Sequence, residues 1–329
     1  MIHLLRILLF PLSLIYGVIM WMRNRLYDYN FIPSTSFRFP VVVIGNLAVG
    51  GTGKSPMAEY ILRLITPTKS ISLLSRGYGR KTKGYREVNT TDTAELAGDE
   101  PLQIKRKFPN TPVFVCEDRV FALKKLTDCN NGVLLDDAYQ HRALQPSFTV
   151  LLFDFNSLCY PILPLPTGNF RDTLKESNRA SVIVITKCPK EIDSDIRFQL
   201  ESKLRKHSRA PIFFARISYG SFVNDLGEKI AFEPFKKQNI LLFTGIAKPE
   251  PLVAYLEPQV SQLTHIRFKD HHAFNSTDLA RVATAYEQMD NNNKLILTTE
   301  KDFQRLPKSF IDSYPIYIIP IQQVRQKHA

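Results

Sequence analysis

Residues 41–55 read VVVIGNLAVGGTGKS, an apolar strand that leads into a glycine-rich loop ending in Gly-Lys-Ser. A strand, such a loop and a following helix form a cradle for nucleotide phosphates, because glycines let backbone N–H groups approach the phosphate oxygens. We expect Lys54 to contact the β- and γ-phosphates and the Ser55 hydroxyl to ligate Mg²⁺. The predicted nucleotide-binding residues are Ala48, Val49, Gly50, Gly51, Thr52, Gly53, Lys54 and Ser55.

The alternative for this stretch is an ordinary glycine turn between a strand and a helix. The general motif has glycine at the position of Ala48, so the match is incomplete. Pro56 suits the first turn of a helix, and apolar residues at helical spacing continue to Ile65. This context favours the phosphate cradle.

The composition is that of a folded globular protein with a basic surface. The length of 329 residues suggests two domains. The formal net charge of +12 favours anionic partners, but it does not choose among nucleic acid, acidic lipid and phosphorylated small molecules. The four cysteines are scattered, so neither a disulfide framework nor a cysteine metal site is expected.

The N-terminal segment is apolar. Ile7–Met22 contains no charged residue, Arg6 precedes it, and Arg23 and Arg25 follow it. A helix of that length spans only ~24 Å, which is short of a ~30 Å hydrocarbon core. We therefore expect a membrane-associating helix that lies in the interface, with a helix packed on the protein core and a full membrane span as alternatives.

Apolar strand-like runs alternate with helix-like segments along most of the chain. This pattern predicts an α/β fold of the P-loop NTPase type, with a mostly parallel sheet and helices on both faces. We divide the chain into an N-terminal apolar helix, a P-loop domain, a linker and a smaller C-terminal α/β domain, at residues 1–30, 31–220, 221–238 and 239–329.

Paired carboxylates occur at two places in the sequence. Asp136 and Asp137 end a short apolar strand, where a P-loop protein holds Mg²⁺ or its water shell, although a polar turn is the alternative. Asp99 and Glu100 precede a predicted helix. An aspartate there can act as a general base, but the local sequence alone favours a helix cap.

Two further features carry possible chemistry. Asp270 and His271 lie in the second predicted domain, where a solvated loop is the alternative and no spacing for a zinc site is found. Arg119 and Arg171 lie at strand ends or in loops, where arginine can neutralise a transferring phosphate.

Taken together, these segments resemble the tetraacyldisaccharide 4′-kinase family of lipid A biosynthesis. The resemblance covers nearly the whole chain. It rests on residues 43–55, Ser75–Gly79 (SRGYG), Gly98–Pro101 (GDEP), Asp136-Asp137 with Gln140-His141, 163–171, Asp270-His271 and Thr299–Asp302 (TEKD).

The resemblance implies that ATP donates its γ-phosphoryl group to the 4′-hydroxyl of a tetraacyldisaccharide 1-phosphate. It implies that Asp99 takes the hydroxyl proton and that His271 polarises or orients it. Lys54, Arg119 and Arg171 would act on the transferring phosphoryl group. The implied Mg²⁺ ligands are Ser55, Glu100, Asp136 and Asp137. Residues 299–302 are expected near the nucleotide.

The implied partners are the lipid A precursor and a membrane surface bound through residues 1–25, with neither nucleic acid nor an obligate protein partner expected. We expect a peripheral or monotopic location on the cytoplasmic face of the inner membrane. Two other classes stay open: a P-loop GTPase or ATPase switch of the metallochaperone kind, and a membrane-tethered nucleic-acid-binding protein.

Overall fold

The computed structural model describes residues 9–126, 132–224, 227–230, 238–289 and 293–326. These residues form two sheets with helices packed on both. No helix within the described ranges is long and apolar enough to cross a bilayer.

The larger sheet has nine strands in the order β15-β8-β7-β6-β1-β5-β2-β4-β3. Seven strands run parallel, and β3 and β15 pair antiparallel at the two edges. The strands are β1 Val41–Asn46, β2 Ser72–Ser75, β3 Arg86–Glu87, β4 Val113–Val115, β5 Val133–Leu135, β6 Phe148–Asp154, β7 Val182–Thr186, β8 Ile212–Tyr219 and β15 Ile321–Arg325.

Alternate side chains of the central strands fill two separate cores, one on each face of this sheet. Val41 and Val43 of β1 point into one core, whereas Ile44 points into the other with Met57 and Leu62. Both faces are covered by helices, as the uninterrupted apolar strands predict. The helices are α1 Phe10–Asp28, α2 Lys54–Ile65, α3 Ala94–Ala97, α4 Asp99–Lys107, α5 Arg119–Lys125, α6 Phe155–Cys159 and α7 Ser194–Arg205.

The smaller sheet has six strands in the order β10-β9-β14-β13-β11-β12, of which β11–β14 run parallel. Its strands are β9 Phe222–Val223, β10 Lys229–Ile230, β11 Asn239–Thr244, β12 Gln262–Arg267, β13 Lys294–Thr299 and β14 Ile316–Ile319. Its helices are α8 Glu250–Leu256, α9 Ser276–Glu287, α10 Glu300–Phe303 and α11 Lys308–Ser313.

The end of the chain crosses between the two sheets. β14 belongs to the smaller sheet, and after Pro320 the chain enters β15, which pairs with β8 of the larger sheet. The sequence-based division at residue 239 therefore does not hold for β15. The segment drawn as a linker includes β9 and β10 of the smaller sheet, and its residues 225–226 and 231–237 lie outside the described ranges.

Helix α1 shows the reverse of the usual burial pattern. Its buried residues are the polar Ser13 and Asn24, whereas Leu14, Ile15 and Ile19 are each more than half exposed. The predicted apolar helix is thus present over its described part, with its apolar side turned away from the protein.

Candidate active site

The glycine-rich loop joins β1 to α2 and is held by contacts from neighbouring strands. Gly53 precedes α2 with φ 81°, a left-handed conformation that glycine adopts without strain. The Thr52 hydroxyl accepts from Asn46 Nδ2 at 2.8 Å, and the Thr52 carbonyl accepts from the Thr186 hydroxyl at 2.8 Å. Lys187 donates to the carbonyl of Gly51. Lys54 and Ser55 follow as the first two residues of α2.

The first part of the loop pairs with a second loop. Ala48 bridges Phe170 in antiparallel fashion, and the Val49 N–H donates to the Asn169 carbonyl at 2.7 Å. Arg171 N–H donates to the Leu47 carbonyl at 2.9 Å. The predicted residues Ala48 and Val49 therefore support the loop that carries Arg171.

Lys54 and Arg171 converge on Asp137. Lys54 Nζ lies 3.7 Å from Asp137 Oδ2, and Arg171 Nη2 donates to Asp137 Oδ1 at 2.6 Å. Burial favours the neutral form of Asp137, but the charges of Lys54 and Arg171 outweigh it and lower the pKa of this carboxyl group. Asp137 adopts a left-handed backbone conformation with φ 48°.

Asp136 lies at the end of β5 and is fully enclosed. Its Oδ1 atom has no hydrogen-bond partner among the described residues. Burial and the nearby charge of Glu100 raise the pKa of Asp136 above its usual range. Because a buried and unpaired carboxylate is costly, this position fits a bound cation.

Arg119 begins α5 and is buried next to both aspartates. Its Nη1 donates to the Glu117 carbonyl at 2.9 Å, while its Nε has no partner among the described residues. Burial and the charge of Arg76 lower the pKa of Arg119, and Asp137 and Asp136 act in the opposite direction. The guanidinium therefore lies in the same electrostatic cluster as the predicted metal-binding carboxylates.

Asp99 belongs to a helix of the larger sheet and is contacted by two residues of the smaller sheet's region, His271 and Arg305. It is the first residue of α4, and the cap position is Gly98, so Asp99 is not the helix cap that the local sequence favoured. Asp99 Oδ2 lies 3.0 Å from His271 Nδ1 and accepts from Arg305 Nη2 at 2.5 Å. Burial opposes ionisation, but the hydrogen bond from His271 and the charges of Lys301 and Arg305 lower the pKa of Asp99 well below its usual range.

The loop after β12 points His271, rather than His272, toward Asp99. His271 has φ 56°, and its N–H donates to the Gly245 carbonyl at 3.0 Å. The Tyr78 ring packs edge-on against the His271 ring at 5.3 Å. His272 instead pairs with Asp278 at 2.8 Å.

Two cations of the smaller sheet's region were not predicted as site residues. Lys301 Nζ lies 2.7 Å from Glu100 Oε1 and 3.1 Å from His271 Nε2. Arg305 lies on the turn after α10 and reaches Asp99. The sequence predicts Thr299–Asp302 near the nucleotide, and the structure places Lys301 of this segment against Glu100. The TEKD motif was the sequence signal for Lys301, and no sequence signal pointed to Arg305.

The described residues contain no group of three or more His, Cys, Asp or Glu side chains arranged to hold a metal ion by themselves. The neighbouring carboxylates of Asp136 and Asp137 lie within reach of the charge of Lys54 in the phosphate cradle. Mg²⁺ is commonly bound by one or two such carboxylates together with substrate phosphates.

Comparison with known proteins gives one consistent answer. A family model described as "Tetraacyldisaccharide-1-P 4'-kinase" matches residues 5–328. The chain is 39% identical to a tetraacyldisaccharide 4′-kinase of Flavobacterium johnsoniae, over 99% of this chain and 94% of the relative. It is 34% identical to the enzyme of that name from Bacteroides thetaiotaomicron, over 97% of this chain and 90% of the relative.

A solved structure matches along the whole fold. A crystal structure of LpxK from Aquifex aeolicus in complex with ATP superimposes with a TM-score of 0.77 and 27% identity, and the match covers 98% of this chain and 96% of that chain. The α/β fold predicted from the sequence is confirmed by this likeness.

Proposed function

Because the chain belongs to the tetraacyldisaccharide-1-phosphate 4′-kinase family, we propose how its residues divide the work of phosphoryl transfer. The protein is an ATP-dependent kinase of lipid A biosynthesis, and its acceptor is the 4′-hydroxyl of a tetraacyldisaccharide 1-phosphate. The observation that carries the proposal is the contact between Asp99 and His271. Glu100, the residue after Asp99, acts through its charge on Asp136, which also senses Lys54 of the phosphate cradle.

The donor side of the site consists of the glycine loop and three cations. Lys54 and the loop amides hold the β- and γ-phosphates, as the Gly53 geometry at the start of α2 supports. Arg171 and Arg119 face the same carboxylates and stabilise negative charge on the transferring phosphoryl group. Lys54 and Arg171 are paired with Asp137 here, so the cations are already directed to the place where phosphate charge must be balanced.

The residues that would hold Mg²⁺ are Ser55, Glu100, Asp136 and Asp137. Support comes from the enclosed Asp136 Oδ1 atom, which lacks a partner among the described residues, and from the repulsion between Asp136 and Glu100. When bound, Mg²⁺ would neutralise charge on the donor phosphates. Before binding, Lys301 balances the charge of Glu100.

The acceptor side of the site consists of Asp99 and His271. The lowered pKa of Asp99 keeps its carboxylate ionised, so it is ready to accept the proton of a sugar hydroxyl. His271 orients this carboxylate through Nδ1, and Lys301 contacts its other ring nitrogen. A weak base suffices here, because phosphoryl transfer depends mainly on positioning and charge stabilisation.

The substrate also requires the kinase to reach a bilayer. The acceptor carries acyl chains, and the outward side of α1 is apolar, with Arg25 near its C-terminal end. We therefore place the protein peripherally on the cytoplasmic face of the inner membrane, with α1 in the lipid interface.

The test is transfer of a radiolabelled γ-phosphate from ATP to a detergent-dispersed tetraacyldisaccharide 1-phosphate. We expect the label in the lipid product, at the 4′ position. Label released only as inorganic phosphate, or a preference for GTP with no lipid product, would favour a nucleotide-hydrolysing switch and contradict the proposal.

A further inference from the structure

The protein-facing side of α1 is polar, and its contacts converge on one loop of the active site. Ser13 and Asn24 are buried, and they contact Thr167 and Asp172 respectively. From this we infer that α1 is a positioning element of the catalytic site: its polar side holds the loop that carries Arg171. This inference rests on the role in phosphoryl transfer proposed above for Arg171.

The first contact from α1 is at Thr167, four residues before Arg171. Ser13 Oγ donates to Thr167 Oγ1 at 2.8 Å and accepts from the Thr167 N–H at 3.0 Å. Both side chains are shielded from water, so a lost partner would leave a buried polar group unsatisfied. Ser13 therefore holds both the backbone and the side chain of Thr167.

The second set of contacts from α1 is at Arg171 itself and at its neighbour Asp172. The Tyr16 hydroxyl donates to the Arg171 carbonyl at 3.0 Å. Asn24 Nδ2 donates to Asp172 Oδ1 at 2.9 Å, and the same oxygen accepts from the Thr173 N–H. Three side chains spread along α1 thus contact residues 167, 171 and 172.

The opposite side of this loop lies against the phosphate cradle. The Arg171 N–H donates to the Leu47 carbonyl, and Val49 donates to Asn169, so the loop lies between α1 and the cradle. The Arg171 guanidinium then reaches Asp137 and Asn46. A shift of α1 would be transmitted to the Arg171 side chain, and displacements of about 1 Å at a catalytic group reduce rates strongly.

The two sides of α1 would then have separate tasks. The outward apolar side contacts the lipid that holds the acceptor. The inward polar side holds Arg171 in position relative to the donor phosphates. This separation predicts that inward substitutions change the rate of transfer even on a detergent-dispersed acceptor, where no bilayer is present.

The test is a double-mutant cycle between Asn24 and Arg171, measured as kcat on the detergent-dispersed acceptor. We expect Asn24→Ala to lower kcat about tenfold without changing the KM for ATP. In an Arg171→Ala background the same substitution should change kcat by less than about twofold, because its effect acts through Arg171. Tyr16→Phe, which removes only a hydroxyl group, should show the same dependence with a smaller loss.

Asn110→Ala is the matched control, since Asn110 is exposed in a turn outside the site, and it should retain the wild-type kcat. Equal losses from Asn24→Ala in both backgrounds would overturn the inference, as would wild-type kcat in Asn24→Ala. Thermal unfolding of each variant excludes global unfolding as the cause of a loss.

Amide hydrogen exchange gives a readout that does not depend on activity. Ser13→Ala and Asn24→Ala should speed exchange at the amides of Thr167 and Arg171, while amides of the smaller sheet stay unchanged. Unchanged exchange at both amides would overturn the inference. If wild-type protein transfers no phosphate to the lipid, the proposed function fails, and the exchange experiment still decides whether α1 holds the loop.

Discussion

Asp99 and Arg305 are 206 positions apart in the chain, yet their side chains meet at 2.5 Å between Asp99 Oδ2 and Arg305 Nη2. Asp99 begins a helix of the larger sheet, and Arg305 follows a helix of the smaller one. Both side chains are almost completely buried. The proposed catalytic base is therefore held by a cation from the other half of the molecule.

Replacement of Arg305 by methionine should shift the pH dependence of catalysis. The folded-state pKa of Asp99 is lowered, so its contribution to stability is present above its unfolded value of about 3.9 and is lost as the pH falls through the lower folded value. Without Arg305 the pKa of Asp99 rises, and the acidic limb of the kcat/KM profile should move to higher pH.

The control for this experiment is Arg267→Met, which removes a cation from an exposed ion pair with Glu250 in the same half of the molecule. It should leave the acidic limb in place. An acidic limb that does not move in Arg305→Met would show that Arg305 does not set the ionisation of the base.

The contact between Asp99 and Arg305 marks the limit of what the sequence could predict. The phosphate cradle and the carboxylates after β5 are local patterns, so the nucleotide side of the site could be predicted from spacing. Arg305 depends on the packing of two sheets, and no local period indicates that. His271 looked like a solvated loop residue because the left-handed turn that directs it to Asp99 involves Gly245, which is distant in sequence.

The same contrast between local patterns and long-range packing applies to the fold. The strands of the large sheet were predicted where apolar runs are continuous, as in β1 and β6. Strand β15 (IQQVR) contains only two apolar residues, and it lies directly after a strand of the smaller sheet. Its pairing with β8 is long-range, and the local sequence pattern does not indicate it.

Asp172→Asn should stabilise the protein at neutral pH. Burial and the nearby charge of Glu176 raise the pKa of Asp172 to about 6. Because the pKa of Asp172 is raised in the folded protein, its contribution to the free energy of unfolding is fully present below the unfolded pKa of about 3.9. That contribution is lost as the pH rises through the folded pKa. Asparagine keeps the oxygen that accepts from Asn24 and carries no charge.

Urea unfolding should therefore give Asp172→Asn a free energy of unfolding about 1–2 kcal/mol higher than wild type near pH 7.5, with the gain lost near pH 4. A difference of the same size at both pH values would contradict the assignment of this effect to ionisation of Asp172.

Gly45→Ala should disturb the packing beneath the phosphate cradle. A Cβ atom at this position would lie 2.5 Å from Tyr139 Cβ and 2.9 Å from the Tyr139 nitrogen. Tyr139 is buried and its hydroxyl donates to the Glu176 carbonyl, so it has little room to move. We expect a loss of about 1–3 kcal/mol in the free energy of unfolding.

Gly17→Ala is the control for the stability loss expected in Gly45→Ala, because a Cβ atom at position 17 would have no neighbouring atom within 4 Å. This variant should be neutral or slightly more stable, since alanine favours a helix interior. Equal stability of Gly45→Ala and wild type would contradict this prediction, because it would show that Tyr139 can shift to accommodate the added Cβ atom.

The outward side of α1 should determine membrane binding. Ile15 and Ile19 are 57% and 58% exposed, and their joint replacement by serine removes apolar area that would enter the lipid. We expect co-sedimentation with vesicles containing anionic lipid to fall about tenfold or more, since burial of one isoleucine contributes about 1.5–3 kcal/mol.

Phe198→Ser is the matched control, because Phe198 is 72% exposed on α7 in another part of the molecule. It should sediment with vesicles as wild type does. Loss of sedimentation in Phe198→Ser, or unchanged sedimentation of the Ile15 and Ile19 variant, would contradict the assignment of the lipid-facing side.

The most direct test of the catalytic account is the rate of phosphate transfer from ATP to the lipid acceptor in Asp99→Asn. Asp92→Asn serves as its control, because Asp92 is also buried and pairs with Arg86 at 2.6 Å, outside the proposed site. We predict that Asp99→Asn lowers kcat by about 100-fold or more and that Asp92→Asn retains the wild-type rate. A near wild-type rate in a folded Asp99→Asn protein would contradict the account.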